Sequence, residues 1–155
     1  VTVEVATYRW RTGTRVKGDA QTVGEWLESL RVAYGSLTAE IVVREARGRK
    51  SPGHGLFEWD NAAAGEAWRL EQARRVMRAL EVTVEQRESP IRKFVVVREE
   101  NGDDTYQDLI VAMRDGRMRS QVLDRALSEL RAFRRKYAEL KELSEVFTVI
   151  DKLVT

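Results

Sequence analysis

The chain has 155 residues, enough for one domain with an appended element. Its 43% apolar and 34% charged residues suit an ordinary core under a heavily charged surface, and no apolar run approaches the ~18 residues of a membrane span. The absence of cysteine removes disulfides, thiolate catalysis and zinc-finger chemistry and points to a reducing compartment, while the single histidine, His54, excludes a His-rich metal site. The net charge is only +2, but 21 of the 27 basic residues are arginine, whose rigid fork suits bidentate phosphate or guanine contacts; a GC-rich genome would produce the same bias.

In chain order, residues 2–11 alternate weakly through Val3, Val5, Tyr8 and Trp10 and predict a strand. Gly13 and Gly18 bracket a Thr14–Lys17 turn or short second strand. Thr22 and Glu25 have the spacing of a capping box, followed by a helix with Val23, Trp26, Leu27, Leu30 and Ala33 on one face and Gly35 at its end. Thr38 is placed to cap a second helix carrying Ile41, Val42 and Ala46, which Gly48 closes. Asp60 is placed to cap a helix of about twenty residues whose inward positions would be Ala63, Ala67, Leu70, Met77 and Leu80, with Glu71 and Arg75 as an i,i+4 pair. The β-rich runs Val82–Gln86 and Phe94–Val97, separated by Arg87–Lys93 with its Pro90, predict a hairpin with a basic loop. Asn101–Asp104 is a turn, and a helix is expected from about Thr105 to Arg114.

From Met118 to Val154 neither glycine nor proline interrupts a row running from Leu123 through Leu130, Tyr137 and Phe147 to Val154, so one long helix is expected, packing on the body and pairing with a second copy. The whole pattern predicts an α+β, mainly α fold: a helical N-terminal body with a small β-hairpin or sheet, and a long C-terminal helix. The expected division at Asn101–Asp104 leaves a mixed body over 1–100 and a helical packing or dimerisation part over 101–155.

Val23–Tyr34, the turn Gly35–Leu37 and Thr38–Arg47 have the lengths of a helix-turn-helix. Leu30, Tyr34, Gly35 and Ile41 fit its positions, whereas Arg31, Ser36 and Arg44 depart from them, so an ordinary αα-corner is the competing reading. In a helix-turn-helix, Thr38, Glu40, Arg44 and Arg47 would face the groove and Arg49 and Lys50 would meet phosphates. Arg87, Arg92 and Lys93 at the hairpin would act as a wing on the backbone, although charged tips also keep sheet edges soluble. Tyr8-Arg9-Trp10-Arg11 with Arg15 and Lys17 interleaves rings and cations as a single-strand binder would. Asp103, Asp104 and Asp108 are better explained by capping than by catalysis. Gly48, Gly53 and Gly55 lack the Lys-Ser/Thr of a phosphate loop, and His54 beside Glu58 or Asp60 has no marked nucleophile. No enzyme, metal or cofactor is expected.

The block Ser51-Pro52-x-His54-x-Leu56-Phe57-Glu58-Trp59-Asp60, followed by Ala63-Ala64-x-Glu66-Ala67-Trp68-Arg69-Leu70-Glu71-Gln72-Ala73-Arg74, resembles a family of small uncharacterised phage and prophage proteins. Arg15–Ala20 and Arg134–Leu140 fit the same resemblance. It implies a phage or integrated-element origin, with nucleic-acid transactions or virion components as contexts, and brings no site residues with it. The expectation is therefore a dimeric phage protein that binds duplex DNA through Thr38–Lys50 and the basic hairpin. The alternatives are a structural or adaptor protein assembling through its C-terminal helix, and a single-stranded nucleic acid binder. No signal-peptide pattern opens the sequence at Val1, so a cytoplasmic place in the host cell, or virion association, is expected.

Overall fold

The structure, a computed structural model, describes residues 6–60 and 63–155. The fold is α+β, mainly α, and it divides into two units, Val1–Ala112 and Met113–Thr155. The division falls after the turn at 101–104 because that turn joins two paired strands, so the segment following it stays with the first unit.

In the first unit, strand β1 (Thr7–Trp10) is followed by α1 (Ala20–Tyr34), α2 (Ala39–Ala46), a 3-10 turn at His54–Leu56 and α3 (Ala63–Ala79). Then come β2 (Leu80–Thr83), β3 (Ile91–Arg92), β4 (Phe94–Arg98), β5 (Asp104–Asp108) and the start of the short α4 (Leu109–Arg114), within which the boundary between the units falls. The strands form two antiparallel sheets. One has the order β1-β2-β3, with Tyr8 opposite Val82 and Val82 opposite Ile91; the other pairs β4 with β5, Val96 opposite Tyr106. Leu37, in the turn between α1 and α2, extends the second sheet by exchanging backbone hydrogen bonds of 2.8 and 2.6 Å with Tyr106.

Several local expectations shift for identifiable reasons. The expected 2–11 strand is seen as Thr7–Trp10, its positions up to residue 5 lying outside the described residues. Asp19, not Thr22, caps α1: its carboxylate accepts from the Thr22 amide and hydroxyl, both at 2.8 Å, and an ionised acceptor at a helix N-terminus outcompetes a hydroxyl. Gly35 ends α1 at φ +83°, and Thr38 caps α2 by accepting from the Ile41 amide at 3.1 Å, both as the sequence predicts. The expected start of α3 at Asp60 borders residues 61–62, outside the described ones, and the inward place expected for the Ala63 side chain also lies outside them. The buried side of α3 is Ala73, Val76, Met77 and Ala79 rather than one including Ala67, which is exposed. Glu71 pairs with Arg78 at 3.0 Å and Arg74 at 3.9 Å in place of Arg75.

The hairpin closes differently too. β2 pairs with the two-residue β3, while Phe94–Val97 turns away to pair with β5. The segment after Asn101–Asp104 is therefore a strand first, and the helix waits until Leu109, where Asp108 accepts from the Ile110 and Val111 amides at 2.7 and 3.0 Å. β-Branched and aromatic residues in β4, and Tyr106 in β5, supply a cross-strand apolar surface that local helical propensity does not match.

The second unit is a helical hairpin of α5 (Gly116–Lys136) and α6 (Ser144–Val154), joined through a 3-10 turn at Lys141–Leu143. The 118–154 row is thus not one helix: the chain leaves α5 at Tyr137, and Leu140 is extended at φ −82°, ψ 95°. Arg134, Arg135 and Lys136 close α5, and Glu145 lies in the first turn of α6, so each charge sign faces the favourable end of a helix dipole. The fold-back buries Phe147 and Ile150. Phe133 stands 4.9 Å from Tyr137 and 6.4 Å from Phe147 between ring centroids, and Arg134 lies over Phe147 while pairing with Asp151 at 3.2 Å.

Most core side chains of the first unit belong to one cluster that includes Leu27, Leu37, Val42, Val43, Met77 and Leu80. Gly24 on α1 lets β1 pack there, because a Cβ at that position would fall inside the Tyr8 ring. Gly24→Ala is expected to cost about 1–3 kcal/mol in urea unfolding, the range for forcing an extra carbon into a packed core; an unchanged midpoint would contradict this packing.

Candidate nucleic-acid interface

The α1–α2 pair forms, with α1 starting at Ala20 rather than Val23 and α2 spanning Ala39–Ala46, but its surroundings are not those of a free recognition unit. The turn is pinned to β5 through Leu37. Arg31, where the motif needs a small residue, holds Glu28 at 2.9 Å and Gln107 at 3.2 Å. Thr38 uses its hydroxyl as the cap of α2.

Arg44 is exposed, yet it pairs with Glu45 at 3.3 Å and lies 5.4 Å from the Tyr34 ring centroid. Arg47 pairs with Glu66 at 2.8 Å and lies 5.5 Å from the Trp59 ring. Both guanidiniums already have an acid and an aromatic neighbour, so a phosphate would have to compete for them. Arg49 and Lys50 are exposed and make no side-chain hydrogen bond or ion pair among the described residues; the same holds for Arg87 and Arg92 on the β2–β3 hairpin.

Lys93 cannot serve as a wing cation. It is 6% exposed, and its Nζ donates to Asp108 at 2.7 Å and approaches Glu28 at 3.1 Å, with the Tyr8 ring centroid 5.5 Å away. The sequence could not show this because the two carboxylates come from distant segments. Burial alone would push Lys93 down, but Asp108, Tyr8 and Glu28 outweigh it and hold its pKa above the ordinary value. Burial would likewise raise Asp108 and Glu28. For Asp108, Lys93 and the Val111 and Ile110 amides more than offset it; for Glu28, Arg31 and Lys93 do, and both carboxyls sit below their ordinary values.

The aromatic loop at 51–60 is built into the scaffold. His54 stacks on Trp59 with centroids 5.2 Å apart, and its Nδ1 donates to the Ala46 carbonyl at 3.0 Å; Trp59 Nε1 donates to the His54 carbonyl at 2.9 Å. Arg69, buried on α3, donates to the Glu58 carbonyl at 2.8 Å and also lies near the Trp59 ring. Periodicity does not single out this arginine, because it marks only apolar positions. The rings of the first strand are also committed: Tyr8 is buried, and Trp10 donates to the Gly18 carbonyl at 3.0 Å, so neither stands free to stack on a base.

The cations near those rings have a different setting. Arg11, Arg15 and Lys17 line a cleft of about 490 Å³ together with Leu56, Phe57, Gln72, Arg75, Val76 and Arg78, and with Glu58 as its one acidic residue among those described. Sequence spacing gives no hint of this grouping, because three separate segments, 11–17, 55–58 and 72–79, meet there. Among the described residues, no group of three or more His, Asp or Glu side chains is arranged to hold a metal ion, and no helix is long and apolar enough to cross a membrane. Comparison with known protein families, with curated proteins and with solved structures finds no match to this chain.

The Lys93 cluster has a pH signature. The depressed Asp108 and Glu28 contribute stability that is fully present above their ordinary values of 3.8 and 4.5 and is lost as pH falls through their lower folded values. The raised Lys93 contributes stability present below 10.5 and lost as pH rises through its folded value. Lys93→Met is expected to destabilise by about 3 kcal/mol at pH 7, since Asp108 is left buried without its partner. The gap from wild type should narrow as pH is lowered to about 4 and Asp108 takes up a proton. Chemical denaturation across that range measures both, and a pH-independent gap would show that the carboxylates are not coupled to Lys93.

Proposed function

We propose that the protein is a structural or adaptor protein that assembles through its C-terminal helical hairpin, the partner being a second copy of the chain. The observation that carries this reading is that α5 spans 21 residues and buries none of them. Arg131 donates to the Val154 carbonyl at 3.3 Å, which puts the end of α6 beside the last third of α5. The preceding stretch, 116–130, is about 22 Å long at ~1.5 Å per residue, and α6 is about 16 Å long, so the overhang has room for a second α6. Leu123 on the overhang is 56% exposed, and Val149 and Leu153 on α6 are 56% and 58% exposed. A two-fold pairing would bury both apolar surfaces at once, each copy laying its α6 on the other's overhang. We assign no catalytic step.

Light scattering should give a dimer mass for the wild type. Leu123→Glu and Val149→Glu should each weaken the dimer by about 2 kcal/mol or more, as expected for central apolar side chains, with unchanged helical circular dichroism. A monomeric wild type at high micromolar concentration would dismiss the reading.

A second reading, duplex DNA binding, is favoured by the four exposed cations Arg49, Lys50, Arg87 and Arg92 that lack partners among the described residues. It is second because Val1–Ala112 carries seventeen basic against eighteen acidic residues, leaving little long-range field to attract a polyanion. Replacing Arg49 and Lys50 together with alanine should weaken binding and reduce the log–log salt slope by about 0.9 for every phosphate that is no longer neutralised. Absence of any wild-type DNA shift at low salt would reject it.

A further inference from the structure

We propose that the cleft between the Arg11–Lys17 loop, residues 55–58 and α3 binds a nucleoside phosphate. Three features of the cleft converge on that chemistry. The first is charge: among the described residues, Arg11, Arg15, Lys17, Arg75 and Arg78 line it against the single carboxylate of Glu58. Arg78 is engaged by Glu71 at 3.0 Å and Arg75 lies 5.0 Å from the Trp68 ring, but Arg11, Arg15 and Lys17 have no side-chain hydrogen bond or ion pair among the described residues. Three unengaged cations on one short loop, held in place by the Trp10–Gly18 hydrogen bond, form a receptor for a compact anion carrying several acceptor oxygens.

The second feature is the apolar wall of Leu56, Phe57 and Val76, all buried, which a bare inorganic anion would leave unused. The third is Gln72. It lines the cleft, and its Oε1 is buried without a hydrogen-bond partner, alone in this respect among the described residues. Buried acceptors are ordinarily satisfied, and a rotation of the amide that turns Oε1 out of its buried position into the cleft would let a ligand N–H supply that bond. A primary amide offers an acceptor and two donors side by side, which suits the edge of a nucleobase. A volume of about 490 Å³ lies within the usual range for small-molecule sites. A molecule with a phosphate, a flat apolar body and an N–H edge meets all three demands. Such a group comes either from a free nucleotide or from the phosphate-bearing end of a nucleic acid strand. The cleft lies wholly within the first unit and uses no residue of α5 or α6, so its test stands apart from the assembly reading.

Calorimetric titration of the full chain with AMP, GMP, CMP and UMP, with adenosine, and with inorganic phosphate tests the assignment. At least one nucleotide should bind roughly tenfold or more tighter than phosphate or nucleoside alone. The exposed-loop double variant Arg15→Ala/Lys17→Ala should weaken it about tenfold, and Gln72→Leu should weaken the nucleotide while leaving phosphate unchanged. Melting curves establish that each variant is folded; if Gln72→Leu is not, the loop variant decides alone. Failure of every nucleotide to bind at millimolar concentration overturns the proposal, as does phosphate binding equally well or a loop variant with wild-type affinity. Comparing 5′-phosphorylated with 5′-hydroxyl oligonucleotides separates the sources. Tighter binding of the phosphorylated strand than of the mononucleotide supports a strand end, and the reverse supports a free nucleotide.

Discussion

The first unit depends on Lys93. Its backbone amide donates to Leu80 in one sheet and its carbonyl accepts from Leu109 beyond the other, so the residue stands at the point where the chain passes between sheets. Its side chain gathers Asp108, which also caps α4, and Glu28 from the middle of α1, beneath the Tyr8 ring of β1. A buried ammonium is unfavourable without close anions, so an arrangement that displaced β5 would take away its nearest carboxylate, and one that displaced α1 would take away the second. The cluster thus ties α1, β1 and the end of β5 together around one side chain. It also explains why two short sheets with a two-residue strand between them remain in a defined relation.

A second, smaller network holds the other side of α1 and α2. Gly53 passes so close to Trp26 that a side chain there would occupy the indole, while His54, Trp59, Arg47 and Arg69 stack and pair around the loop that follows α2. This network takes up Arg47 and leaves Arg49 and Lys50 outside it. The same loop presents Leu56 and Phe57 to the cleft lined by Arg11, Arg15 and Lys17. Scaffold and candidate site therefore share a segment, and its residues divide between them according to which way each side chain turns.

The C-terminal hairpin shows how a regular pattern can be read two ways. The row Leu123–Val154 keeps a spacing of three and four residues throughout, which suits a continuous helix and equally suits two helices folded against each other. The run Arg134-Arg135-Lys136 and the later glutamates at 139, 142 and 145 are the available sequence signal for a break. They suit a helix C-terminus followed by an N-terminus, although they also read as one charged helix surface.

Local chemistry made much of the fold legible in the sequence: Gly35 and Thr38 punctuate α1 and α2, the Asn101–Gly102 turn forms with Gly102 at φ +91°, and the α+β, mainly α character follows from the periodicities. These features need only neighbours along the chain. Tertiary structure alone decided that Phe94–Val97 would pair with β5 rather than β2, that Lys93 would be buried against Glu28 and Asp108, that Arg47 would be paired with Glu66, and that Arg11, Arg15 and Lys17 would meet Gln72 across a cleft. Nearly all of these join residues far apart in sequence. A side chain's charge is written in the sequence, but whether that charge meets water, a carboxylate or an open cleft depends on which distant segment folding brings beside it.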